Sequence, residues 1–227
     1  HDMRVCDFAA EALRSINTKE ALAAWTMWKR GQDGSADASS EIPREQPQLS
    51  PLERRQRFDT LVENLNSPNH ETRCGALIAM STLGEPEAEH HLLRMLRVDP
   101  EPQVRQVAAR PLVRFPTDLA RIALRAALRD DEVVDYAKDT LISFGAFAVP
   151  SLLEALYDTE ALARYAAIEA LIAIGENDID AVSDEGIFAA LESMIHDSER
   201  PRFEAKTIGE AAEDALLILR GTPDTDT

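Results

Sequence analysis

Aromatic side chains make up only 5% of this 227-residue chain, and glycine occupies only nine positions. Ala and Leu therefore carry most of an apolar content of 44%, and both are strong helix formers. Cysteine is scarcer still. Cys6 and Cys74 stand alone, which excludes a disulfide framework and suits two small buried thiols in a reducing, cytoplasmic compartment. No run of 18 or more apolar residues occurs, so no transmembrane helix is expected. No signal-peptide pattern opens the chain. His1-Asp2-Met3 reads as a cloning remnant, and a helical pattern follows at once, as in a fragment of a longer protein.

Positive charge is also short. Lys and Arg number 24 against 41 Asp and Glu, for a net charge of -17. A surface this acidic repels polyanions, so neither nucleic acid nor a membrane surface is an expected partner. It suits a basic protein partner or a salt-rich solvent. The only lysines are Lys19, Lys29, Lys138 and Lys206. Arg in place of Lys with excess carboxylate fits a salt-loving host, and it fits a GC-rich genome equally well.

Enzymatic signatures are missing too. Neither CxxC nor HExxH occurs, and no strand precedes a glycine-rich phosphate loop. His90 and His91 are adjacent and so point to different helix faces. Asp178, Asp180 and Asp184 resemble part of a calcium loop, but its turn glycine and terminal bidentate Glu are not in place. No catalytic, cofactor-binding or metal-ligating residue is expected.

What the chain has is repetition. One helical pattern recurs at 8–17, 75–84, 107–116, 136–145, 166–175 and 211–220. A small residue holds its first column: Ala9, Ala76, Ala108, Ala137, Ala167 and Ala212. Four residues on stand Leu13, Met80, Leu112, Leu141, Leu171 and Leu216. Three further on stand Ile16, Leu83, Phe115, Phe144, Ile174 and Leu219. Those offsets put all three columns on one helix face, and the Ala column implies close approach of another backbone. The alanines are 67, 32, 29, 30 and 45 residues apart. The short spacings are those of a helical hairpin of about 30 residues, and the long ones carry insertions. Stops fall at Gly84, Pro116, Gly145, Gly175 and Gly221. Partner helices read over 52–65, 85–97, 117–129, 147–157 and 184–195, with Thr117 and Ser183 as candidate N-caps. No segment alternates with period two, and no strand is expected.

The runs Asp99 … Val104-Arg105 … Ala108-Ala109 … Leu112 and Asp158 … Arg164 … Ala166-Ala167 … Ala170-Leu171 … Ile174-Gly175 resemble the HEAT-repeat consensus. They are most similar to the short HEAT-like repeats named for phycobilisome (bilin) lyases, over 4–17 and 51–221. The resemblance implies an all-α fold, a right-handed α-solenoid of about five to six hairpins, with the pattern helices lining the concave side. It also implies an Asp–Arg ladder between repeats. The consensus Arg is present at Arg73, Arg105 and Arg164 but replaced by Cys6 and Val134, so the ladder is expected to be broken.

The organisation expected is a partial repeat over 4–30, a flexible linker over 31–50 rich in Gly, Ser, Pro and Gln, the array over 51–221, and a tail over 222–227. The acidic segment 176–185 is expected to be a solvated loop. On the pattern helices, non-core positions form ladders: Glu11, Ile78, Arg110, Asp139, Glu169, Asp214; then Asp7, Cys74, Gln106, Asp135, Tyr165, Glu210; then Arg14, Val113, Ile142, Ile172. A protein-binding face is expected at Arg110, Arg114, Asp135, Asp139, Tyr165 and Glu169, with Tyr165 as aromatic anchor. Pairing of these charges between repeats is the competing reading. Trp25 and Trp28, three apart on one helix, are a secondary candidate patch. The expected function is a non-enzymatic interaction scaffold. The alternatives are a bilin lyase or isomerase subunit, which the resemblance implies, and a structural module of a longer chain.

Overall fold

A computed structural model describes residues 49–202 and 204–220. The partial repeat, Trp25 and Trp28, linker residues 31–48 and the tail lie outside the described residues. Several helices begin at a side-chain cap. Ser50 accepts a hydrogen bond from the Glu53 amide (3.3 Å), and the Ser50 amide donates to the Glu53 carboxylate (2.9 Å). This capping box, with Pro51 in the first turn, launches α1 (Pro51–Asn64), so Ser50 belongs to the array rather than to the linker. Asn69 caps α2 (His70–Leu83), which ends at Gly84 in the left-handed region (φ 71°). Next come α3 (Ala88–Val98), α4 (Pro102–Ala109), α5 (Asp118–Ala127), α6 (Val134–Phe144), α7 (Val149–Leu156), α8 (Ala161–Asn177), α9 (Glu185–Met194) and α10 (Ile208–Arg220). No strand occurs among the described residues.

The described residues form two compact units, divided between His91 and Leu92. In the first, α1 packs on α2 around Phe58, Leu61, Ala76, Leu77 and Met80, all at most 5% exposed. In the second, α5–α6, α7–α8 and α9–α10 pair as hairpins. Their first helices form one layer (α5, α7, α9), and the second helices form another (α4, α6, α8, α10). This stacking of hairpins is the α-solenoid arrangement. The Ala column is its seam: Ala108, Ala137, Ala167 and Ala212 are all 0% exposed, and Ala76 in the first unit is as fully buried.

Several boundaries depart from the sequence expectation, each for a local reason. The pattern helix over 107–116 stops at Ala109 and tightens into a 3-10 turn, Arg110–Arg114, because Pro111 has no N–H to continue the α-ladder. Gly175 does not stop its helix, which runs on to Asn177. A Cβ at Gly175 would clash with Leu219 Cδ2 and lie 2.8 Å from Val182 Cγ2, so glycine serves close packing there. Asp184, not Ser183, caps α9, accepting from the Gly186 amide at 2.6 Å. The acidic segment is not wholly loop: Ile179–Val182 forms a 3-10 turn that buries Val182. The stretch Val134–Leu156 has the length and apolar composition of a membrane span. It folds as α6 and α7 with a turn at Gly145 (φ 57°) between them.

The turns inside the repeats share one construction. Asp99, Asp130, Asp158 and Asp197 each accept, through Oδ1, the amide two residues on, at 3.0, 3.2, 3.0 and 2.9 Å. Arg105 and Arg164 reach back to the turn carbonyls of Asp99 (3.0 Å) and Asp158 (2.9 Å), and forward to Asp130 (2.8 Å) and Asp197 (2.9 Å). Arg73 binds the Ser67 carbonyl in the same way at 2.9 Å. The expected gap at Val134 is closed from another direction. Arg129, which directly precedes the Asp130 turn, donates to Asp158 at 3.0 Å. Arg129 directly follows a basic stripe on α5 that latches the first-helix layer, with Arg121 bound to Ser151 (2.6 Å) and Arg125 to Glu154.

Candidate functional site

The second-helix layer presents the repeating face singled out from sequence. Counting from the Ala column, the residues five and six positions on are Val113 and Arg114 beside α4, Ile142 and Ser143 on α6, Ile172 and Ala173 on α8, and Leu217 and Ile218 on α10. Val113 is 44% exposed, Leu217 60% and Ile218 45%, while Ile142 and Ile172 are half-buried. This is an apolar track that crosses the helices. Leu217 and Ile218 extend it beyond the sequence reading, although the spacing of Leu217 from Ala212 is the same as that of Ile172 from Ala167.

Two positions before the Ala column and two after it stand Gln106 and Arg110, Asp135 and Asp139, Tyr165 and Glu169, and Glu210 and Asp214. This second track is basic at the Arg110 end and acidic from α6 onward. It lies one to two turns nearer the helix N-termini than the apolar track.

The residues expected to bind a partner do not all stand free. Tyr165 is 7% exposed, so it offers little contact area. Glu204, in the segment before α10, acts on its hydroxyl. Burial, then Glu169 and Glu204, push its pKa up to about 12. Glu169 is held by Lys138 at 2.7 Å, and Lys138 also pairs with Asp135 at 3.2 Å. Burial works against the Lys138 charge, but the bonds to Glu169 and Asp135 hold its pKa above the usual lysine value. Pairing between repeats is therefore realised at Glu169. Arg110 does not pair with Asp135 or Asp139; its guanidinium lies over the Tyr136 ring, 5.2 Å from the centroid. Tyr136 and Lys138 were missed in sequence because each flanks the Ala column rather than occupying a ladder. Arg114, Asp135 and Asp139 are exposed, and Asp139 enters no ion pair among the described residues.

A separate groove of about 430 Å³ lies between the end of α3 and α5, floored by Leu96, Ala123, Ala126 and Ala127 and flanked by Arg97 and Asp130. It belongs to the first-helix layer and shares no residue with the tracks. Among the described residues, no group of three or more His, Cys, Asp or Glu side chains is placed to hold a metal ion.

No curated protein matches the chain. Residues 58–145 match the family model for HEAT repeats, and the described residues are all-helical, with hairpins stacked as in an α-solenoid.

Proposed function

We propose that the chain is a non-enzymatic scaffold that holds another protein on its second-helix face. One observation carries this reading. In a layer whose neighbouring columns are core, one column stays apolar yet only partly covered, with Val113 44% and Leu217 60% exposed and Ile142 and Ile172 half-buried between them. Apolar area aligned across consecutive repeats is a contact surface in search of a cover. Arg110 and Arg114 stand at one end of it and give that end a positive charge, which suits an acidic stretch of the partner. Photo-crosslinking residues placed at Ile142 and Ile172, with Leu119 on the opposite layer as control, test it in the source cells. Adducts to one protein from Ile142 and Ile172, and none from Leu119, support the face. Adducts from Leu119 alone would move the site to the other layer.

A second reading, a bilin lyase or isomerase subunit, rests on the resemblance of the repeats. Its anionic tetrapyrrole would meet Arg110 and Arg114, but also Asp135 and Asp139, which repel carboxylates. Bilin transfer by the chain, alone or with a second subunit, would establish it against the scaffold. The third reading, a module of a longer protein, is compatible with the scaffold.

A further inference from the structure

The two tracks have dimensions as well as chemistry. Within one helix the outermost charged and innermost apolar positions, Asp135 and Ile142 or Glu210 and Leu217, are seven residues apart. That is about 10.5 Å along the axis, close to the diameter of an α-helix with its side chains. Across the layer, α4, α6, α8 and α10 pack side by side. At roughly 9 Å per helix pair, their three steps span about 27 Å, the length of about 18 helical residues. One helix laid across the layer would thus cover both tracks at once.

Charge narrows the occupant further. On α6, α8 and α10 the charged track carries Asp135, Asp139, Glu169, Glu210 and Asp214. Lys138 and Lys206 answer only part of it. Lys138 is shared between Asp135 and Glu169 with 19% of its side chain exposed, and Lys206 binds Asp214. The Asp135 side chain remains 78% exposed, and Asp139 and Glu210 are exposed as well. Only at the α4 end does the sign reverse, at Arg110 and Arg114.

We infer that the face takes an amphipathic helix of about 18 residues, apolar on one stripe and basic along the flank, with an acidic residue at the end that meets Arg110 and Arg114. The inference rests on the scaffold reading above and specifies its partner. The apolar stripe lies on Val113, Ile142, Ile172 and Leu217. Its Lys or Arg side chains reach Asp135, Asp139, Glu210 and Asp214. An extended segment would need only about 8 residues to cross the same layer, and it would be too narrow to engage both tracks.

Three dye-labelled synthetic peptides test it by fluorescence anisotropy. The first is an 18-residue amphipathic sequence with a Leu stripe and a Lys flank. The second has Glu in place of Lys, and the third has the first composition scrambled. The Lys peptide is expected to bind at least tenfold more tightly than either control, to gain helical circular dichroism on binding, and to weaken from 50 to 300 mM KCl. The double variant Asp139→Lys/Asp214→Lys, and separately Leu217→Lys, should each weaken it tenfold or more. All these positions are outside the core, and unchanged circular dichroism of each variant shows intact folding. Equal binding of the Glu peptide, or undiminished binding by Asp139→Lys/Asp214→Lys, overturns the inference. If the Lys peptide fails to bind while crosslinks still form at Ile142, the face holds a partner of other chemistry and only the basic helix falls. If those crosslinks are missing too, the scaffold reading falls with it.

Discussion

Arg129 grips Asp158 with two of its nitrogens, Nε at 3.1 and 3.0 Å from the two carboxylate oxygens and Nη2 at 2.9 Å. The carboxylate also caps the Glu160 amide, and only 9% of its side chain is exposed. Burial pushes the Asp158 carboxyl up, but the Arg129 bond, the Glu160 amide and the nearby guanidinium charges outweigh it and hold the pKa below the ordinary value.

Asp158→Ala should therefore cost about 1–3 kcal/mol in urea unfolding, because the turn amide and the guanidinium both lose their acceptor. Arg129→Ala should cost less, since more than half of that side chain is already in water. The Asp158 contribution is whole above the unfolded pKa of about 3.9 and is lost as pH falls through the lower folded value. Stability of Asp158→Asn should accordingly fall less steeply than that of the parent below pH 4. Parallel acid curves would show that the carboxylate contributes nothing.

Tyr165 moves the other way. Its proton is held up to about 12 in the folded chain, against about 10 unfolded. Its stabilisation is complete below pH 10 and disappears as pH rises to 12, a loss of up to about 3 kcal/mol. Tyr165→Phe should flatten the alkaline limb of the stability curve and remove the latest phase of phenolate absorbance at 295 nm.

Ala137 is 0% exposed in the seam between stacked hairpins. Ala137→Leu is expected to overpack it and cost roughly 1–3 kcal/mol in thermal or urea unfolding. A neutral result would remove the Ala column from the interface.

Gly175→Ala separates packing from propensity by its sign. Inside an ordinary helix the change stabilises by about 0.5–1 kcal/mol. Here the new methyl meets Leu219 and Val182, so urea unfolding should show a loss. The double variant with Leu219→Ala should show a smaller loss from the glycine change than the parent does.

The net charge of -17 repels itself, and salt screens it. The melting temperature should rise with KCl toward molar concentrations. A flat or falling curve would discard charge repulsion as a term in stability.

Fold was legible because one signal was written many times. The Ala column at 76, 108, 137, 167 and 212 marked a buried seam, and all five residues are fully buried. Boundaries were less legible where a residue type has two uses. Gly145 turns the chain, whereas Gly175 lets Leu219 and Val182 in. Pro116 marked a stop only after Pro111 had already turned the helix into a 3-10 turn. Along the candidate face, the columns followed from spacing alone, but occupancy did not. Nothing in the pattern around Tyr165 showed that Glu204, 39 residues on, would help to raise its pKa. Nor did the spacing from Val134 show that Arg129 would serve Asp158.

The three arginine braces at the turns of the second unit point toward the C-terminus. Arg105 waits for Asp130, 25 residues later; Arg129 for Asp158, 29 later; Arg164 for Asp197, 33 later. A chain leaving the ribosome N-terminus first thus cannot complete one hairpin until the next has emerged. Structure should trail synthesis by about one repeat, and a stalled chain should always expose one unanswered guanidinium at its growing end.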